Sequence, residues 1–163
     1  MSEQEKHRSD SSEQTIIQIK TLRPDSRGHS IEFTVFRQIE QRVVQSKKTG
    51  RMLRIARYVV ADSSAQMILV LWNENTEAVE CGRSYRIEGF RVTVRDYSMQ
   101  ISLSRGGRII PIDRTVTRQL PATDMSRPFA WVQKTDSDRG RIVVPVGGPM
   151  IYKLRKFAGP REF

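Results

Sequence analysis

Apolar and polar residues alternate through the middle of this chain. Ile31, Phe33 and Val35 are interleaved with Glu32, Thr34 and Phe36, the period of two that marks a half-buried β-strand. Four further β-runs cover residues 52–61, 66–72, 85–94 and 99–104. A turn-like Lys47-Lys48-Thr49-Gly50 precedes the second run, and Arg105-Gly106-Gly107-Arg108 closes the fifth. Residues 73–80 suit a short helix, because Asn73 is a plausible N-cap and Glu74 and Glu77 complement the first turns.

Five strands with one helical insert between the third and fourth predict an all-β chain. The matching architecture is a five-stranded Greek-key barrel, the OB-fold. An SH3-like barrel has a similar number of strands but rarely that insert. On either side the pattern changes. Residues 1–14 contain no apolar residue after Met1, so they cannot offset the entropy of ordering and read as a disordered polar tail. Residues 114–163 hold breakers such as Pro121, Pro128, Pro145, Pro149 and Gly147-Gly148, interrupted by one strand-like run over 141–146. The expected division is therefore a tail over 1–14, an OB domain over 15–113 and a partly ordered basic extension over 114–163. Within that extension, Phe129 and Trp131 either fold back over the barrel or await a partner.

Charge then narrows the function. Lys and Arg number 28 against 18 Asp and Glu, a formal net charge of +10. Such an excess points to an anionic partner, either nucleic acid or a charged membrane surface. The longest apolar run, residues 67–72, falls far short of the roughly 20 residues of a membrane-spanning helix. The N-terminus is polar and mixed in charge, unlike a secretory signal. A cytosolic or nuclear setting is expected.

The sharpest local feature is the stretch over residues 42–57, with Arg42, Lys47, Lys48, Arg51, Arg54 and Arg57 and no acid. Folded as a hairpin, it puts three cations at its tip and the others along its second strand, where they can follow a phosphate backbone. The plainer alternative is a solvated hairpin that keeps the chain soluble. In the third run, Trp72 faces outward if Met67, Leu69 and Leu71 line the barrel. An outward indole on a basic sheet is a stacking platform for a base. Otherwise it packs beneath the helix or the extension. Phe90 stands beside Arg91 and Tyr97 near Arg95, the interleaving of rings and cations that suits stacked bases and flanking phosphates. Arg105 and the glycines after it can bring backbone close to a phosphate, although Gly-Gly also simply ends strands.

The case for an enzyme is poor. There is no Walker A, HExxH, GxSxG or GxGxxG motif. The single cysteine, Cys81, permits neither an internal disulfide nor a thiolate zinc cluster, and reads as a buried or bystander thiol. Asp62 suits the capping of a turn better than acid–base work. No metal or cofactor is expected.

Several tags in order add a resemblance. Ile19-Lys20-Thr21-Leu22-Arg23-Pro24, Val60-Ala61-Asp62, Leu71-Trp72-Asn73, Cys81-Gly82-Arg83-Ser84-Tyr85-Arg86-Ile87, Glu88-Gly89-Phe90 and Ser104-Arg105-Gly106-Gly107 resemble the single-OB single-stranded-DNA-binding proteins. These are the archaeal short forms and the single-OB component of the eukaryotic SOSS complex, relatives of replication protein A. The likeness spans about residues 19–113. It implies that Trp72 and Phe90 stack bases, that Arg95 is a family-like cation, and that the role lies in genome maintenance, in the nucleus if the source is eukaryotic. It also implies a larger scaffold subunit as a partner. Val94 and Leu103 stand near two further aromatic positions of that family, with Tyr97 a candidate substitute for one.

The resulting expectation is a non-enzymatic binder of single-stranded DNA with little sequence preference. Trp72, Phe90 and Tyr97 are the candidate rings, and Lys47, Lys48, Arg51, Arg54, Arg57, Arg91, Arg95 and Arg105 the candidate cations. The competing readings are an RNA or telomere-end binder, a protein–protein adaptor in which Trp72 would be buried, and, distantly, a nuclease or other hydrolase.

Overall fold

Five strands carry the alternating segments: β1 (Ser30–Gln45), β2 (Met52–Ala61), β3 (Gln66–Trp72), β4 (Ser84–Arg95) and β5 (Ser98–Ile112). They close into a barrel in the order β1-β2-β3-β5-β4, with β4 returning to β1. All neighbours are antiparallel except β3 and β5. This is the expected OB-fold. The computed structural model describes residues 15–127 apart from 25, 28, 96 and 97. It also describes the backbone of a second antiparallel sheet, with β7 (Arg141–Pro145) between β6 (Phe129–Val132) and β8 (Tyr152–Leu154). The tail over 1–14, Tyr97 and the surroundings of the Phe129 and Trp131 side chains lie outside the described residues.

The period of two puts Ile31, Phe33, Val35, Ala56, Tyr58, Val60, Met67, Leu69, Leu71, Ile87, Val92 and Ile101 into one core. Ile19, Leu22, Val79 and Met125 join them from outside the strands. β1 serves two partners in succession. Its residues 30–34 pair with β4 and residues 34–45 with β2, and register shifts at Phe36 and Ile39 bend it.

Two expectations change here. The fifth strand does not end at the glycine pair but runs on to Ile112, because Gly89 and Gly107 let β4 and β5 bend together. Gly89 has φ +73°, and a Cβ on Gly107 would lie 2.1 Å from its carbonyl oxygen. The helical insert is also shorter than expected, a 3-10 turn over Asn73–Glu77. Asn73 is not its N-cap; with φ +53° it stands inside the turn, its Oδ1 accepting the Arg54 N–H at 3.3 Å.

Beyond residue 113 the chain continues along the barrel. Thr123 and Met125 exchange backbone hydrogen bonds with Gln66, and the Ser126 hydroxyl bridges the Ile68 N–H and the Met99 carbonyl. Arg114 reaches Glu32, which also takes two hydrogen bonds from Arg86 at 2.7 and 3.1 Å. Burial alone would raise the Glu32 pKa, but the hydrogen bonds and charges of Arg86 and Arg114 outweigh it and hold the carboxyl below its ordinary value. A carboxylate whose folded pKa is depressed stabilises the fold above its unfolded pKa, and that contribution is lost as pH falls through the folded value. Glu32→Gln should therefore cost on the order of 1–2 kcal/mol at neutral pH. Urea unfolding repeated at falling pH should show that penalty shrinking from the ordinary carboxylate range downward and gone once the lowered folded pKa is passed.

Candidate nucleic-acid interface

Directly opposed residues on neighbouring strands share a face. Across β1, β2 and β3 the rows are Arg42–Ile55–Trp72 and Glu40–Arg57–Val70. Across β3, β5 and β4 they continue as Val70–Ser102–Arg91 and Ile68–Gln100–Thr93, with Ser98 opposite Arg95 beyond. The chain neighbours of these residues, Ala56, Leu71, Val92 and Ile101, belong to the core. The rows therefore form the outer, open face of the sheet. The buried Ile55 and Val70 give it an apolar floor, beside which Trp72 is half-buried.

Arginines flank this floor from both sides. Arg42 and Arg57 come from the β1–β2 hairpin, and Arg95 and Gln100 from the β4–β5 hairpin. Together with Ile55 they line a pocket of about 90 Å³. Glu40 pairs with Arg42 at 2.7 Å and with Arg57 at 3.4 Å. The Arg57 Nε–H is buried with no acceptor among the described residues. Three guanidiniums against one carboxylate leave the pocket cationic, suited to an anion, while the Trp72 ring suits a flat apolar group.

The sequence-derived candidates divide into groups. Trp72 lies on the open face as expected, since Met67, Leu69 and Leu71 do line the core. Arg57 and Arg95 meet at the pocket, and Arg91 is exposed on the same face, opposite Ser102. Lys47, Lys48 and Arg51 sit exposed at the hairpin tip. Arg54 is one residue out of phase with Ile55, so it stands on the reverse side, 3.9 Å from Glu77. Arg105 is exposed in the bent part of β5 and does not reach the pocket.

Phe90 is a correction: it is completely buried in the core. Tyr85 and Ile87 point inward, so unbroken alternation would turn Phe90 outward. At the irregularity around Gly89, where one residue of β4 faces four of β5, the phase of β4 reverses. The same reversal carries Val94 to the core side, while Leu103 is there through its alternation with Met99 and Ile101; both are partly buried. Of the two glycines after Arg105, Gly107 is taken up by strand packing against Gly89, whereas Gly106 has open space around it. Asp62 caps its turn as expected, its carboxylate accepting the N–H groups of Ile19, Ser64 and Ala65 at 2.8–3.1 Å. Cys81 is exposed.

Glu40, Arg42 and Gln100 were not among the expected site residues. For Glu40 the signal was present: counting pairs back from the turn at residues 47–50 sets it opposite Arg57. Gln100 had no comparable signal, because it joins the pocket only through the parallel pairing of β5 with β3.

Comparisons with known proteins agree with this geometry. A hypothetical protein of Arabidopsis thaliana superposes with a TM-score of 0.59 at 13% identity, covering 74% of this chain and 89% of that one. The second OB-fold domain of replication protein A from Methanococcus maripaludis gives 0.51 at 18% identity, covering 63% and 100%. The replication factor A related protein of Methanobacterium thermoautotrophicum gives 0.51 at 19%, covering 63% and 96%. At such identities the likeness is one of fold. No curated protein sequence matches the chain. Residues 22–111, more than half of the chain, match the family described as single-stranded DNA binding protein Ssb-like, OB fold, and to that family the chain belongs.

Proposed function

We propose that the protein binds single-stranded DNA with little sequence preference, by stacking bases on Trp72 and holding phosphates between the two hairpins. One observation carries this reading: an apolar floor with a half-buried indole is bordered on both sides by arginines, on the open face of an OB barrel. Stacking on a ring tolerates any base, and phosphate contacts carry no sequence information, which supports breadth over selectivity. The accessibility of Trp72 favours this reading over a protein adaptor, for which the ring would be sealed. Family membership and the tags shared with the short archaeal proteins and the single-OB SOSS component favour a role in protecting or organising single strands during genome maintenance. A scaffold subunit as partner, and a nuclear location in a eukaryote, belong to the same proposal. The chain acts as a binding module and not as an enzyme.

The test is a titration with oligothymidylate, read by quenching of Trp72 in a Trp131→Phe background and repeated across salt. Binding should be steeply salt-dependent, with a slope near −0.7 for each phosphate neutralised. Lys48→Ala at the exposed hairpin tip should flatten that slope by up to about 0.7 while weakening all base compositions alike. Unquenched fluorescence and no retention at low salt would reject the proposal. Matched RNA oligonucleotides as competitors report the choice of sugar.

A further inference from the structure

We infer that the pocket between the two hairpins is a seat for one phosphate group, and that Glu40 holds its arginines as an internal competitor for that phosphate. This rests on the nucleic-acid reading above, to which it adds a discrete site and a limit on affinity. The pocket receives Arg42 and Arg57 from one wall and Arg95 from the other, so its ligand is anionic and small. Guanidinium groups present paired N–H donors, which match the oxygens of a phosphate.

One further group points to a missing acceptor. The Arg57 Nε–H is buried with no partner among the described residues. A buried donor left this way is costly and calls for an explanation. A bound phosphate supplies the acceptor. Gln100, only 6% exposed, lines the same pocket, where its amide can donate to a phosphate oxygen. Arg95 has no ion pair among the described residues, so one cation stands ready on the far wall.

Glu40 already presents two carboxylate oxygens to Arg42 and Arg57, the pair of acceptors a phosphate would offer. An entering phosphate must displace that carboxylate or lie beside a like charge. Glu40 therefore weakens binding of any strand and keeps the two arginines occupied when none is present.

The experiment uses the full chain and a fluorescent oligothymidylate, with anisotropy followed over a salt series. Glu40→Gln should bind roughly fivefold more tightly at low salt, with a slope steeper by about 0.7. That gain should disappear when Arg42 and Arg57 are both replaced by Gln, as a double-mutant cycle would register. Gln100→Leu should weaken binding roughly threefold with the slope unchanged. A Glu40→Gln protein that binds no better than wild type, or worse, overturns the competitor role. Oligonucleotides with and without a 5′-phosphate separate a strand end from an internal phosphodiester, and either source is consistent with the seat.

A second readout distinguishes failure of this inference from failure of the proposed function. The Gln100 side-chain amide signal in nitrogen-15 NMR spectra should shift on adding inorganic phosphate, at lower concentration in Glu40→Gln. A chain that binds no strand but shows this shift retains the phosphate seat and loses the proposed function. No shift in either protein overturns the seat.

Discussion

Gly107→Ala is expected to lower the stability of the barrel by on the order of 3 kcal/mol, a large fraction of what a domain of this size possesses. The new Cβ would stand 2.1 Å from the Gly89 carbonyl oxygen, 2.8 Å from Leu103 Cδ1 and 2.9 Å from the Ser104 carbonyl oxygen. Two of those three neighbours are backbone, so the contact cannot be relieved by rotating a side chain. Relief requires β4 and β5 to part at the bulge that sets the phase of Phe90 and Arg91. Gly106→Ala is the internal comparison. Gly106 has φ +76° but open space around it, so alanine there should cost only about 1 kcal/mol of backbone strain. Urea unfolding followed by circular dichroism would measure both. Equal losses at the two positions would refute the close approach as the reason for the glycine pair.

Trp72→Ala carries the second large effect, this time on binding. Loss of a stacking ring should cost about 1–3 kcal/mol, roughly fivefold to 150-fold in affinity, and by similar factors for thymidine, cytidine and adenosine strands. Trp72→Phe, which retains a ring over Ile55, should keep most of the affinity. The salt slope should change little, because the indole neutralises no phosphate. Because Trp72 is half-buried, truncation also removes packing, so the folded fraction of each variant must be measured beside its binding. Wild-type affinity in Trp72→Ala at several salt concentrations would refute the stacking role.

The two effects meet at Gly89. Its bulge sends Phe90 inward and leaves Arg91, Thr93 and Arg95 on the open face, so the groove has fewer rings than the sequence suggested. For Trp72 the sequence offered two phases, because both sides of β3 are apolar, and the structure chose the one that puts Met67, Leu69 and Leu71 in the core. Phe90 was not legible, because its phase depends on the irregularity at Gly89, and that glycine does not announce whether it ends a strand, bends it or fills it. The hairpin cations were legible as a cluster, yet their availability was not. Glu40 lies outside the acid-free stretch but directly opposite Arg57. Arg54 differs from Arg57 by an odd number of residues and so falls on the other side of the sheet.

The amino-acid sequence by itself determined the number and order of the barrel strands, the position of the insert after β3 and the basic hairpin. All of these follow from local periodicity and turn chemistry, which act over a few residues. Only the tertiary structure decided the burial of Phe90, the convergence of Arg42, Arg57, Arg95 and Gln100, and the course of residues 114–127 along the barrel. Those depend on cross-strand register between segments up to about sixty residues apart, where one bulge moves every later side chain to the opposite face.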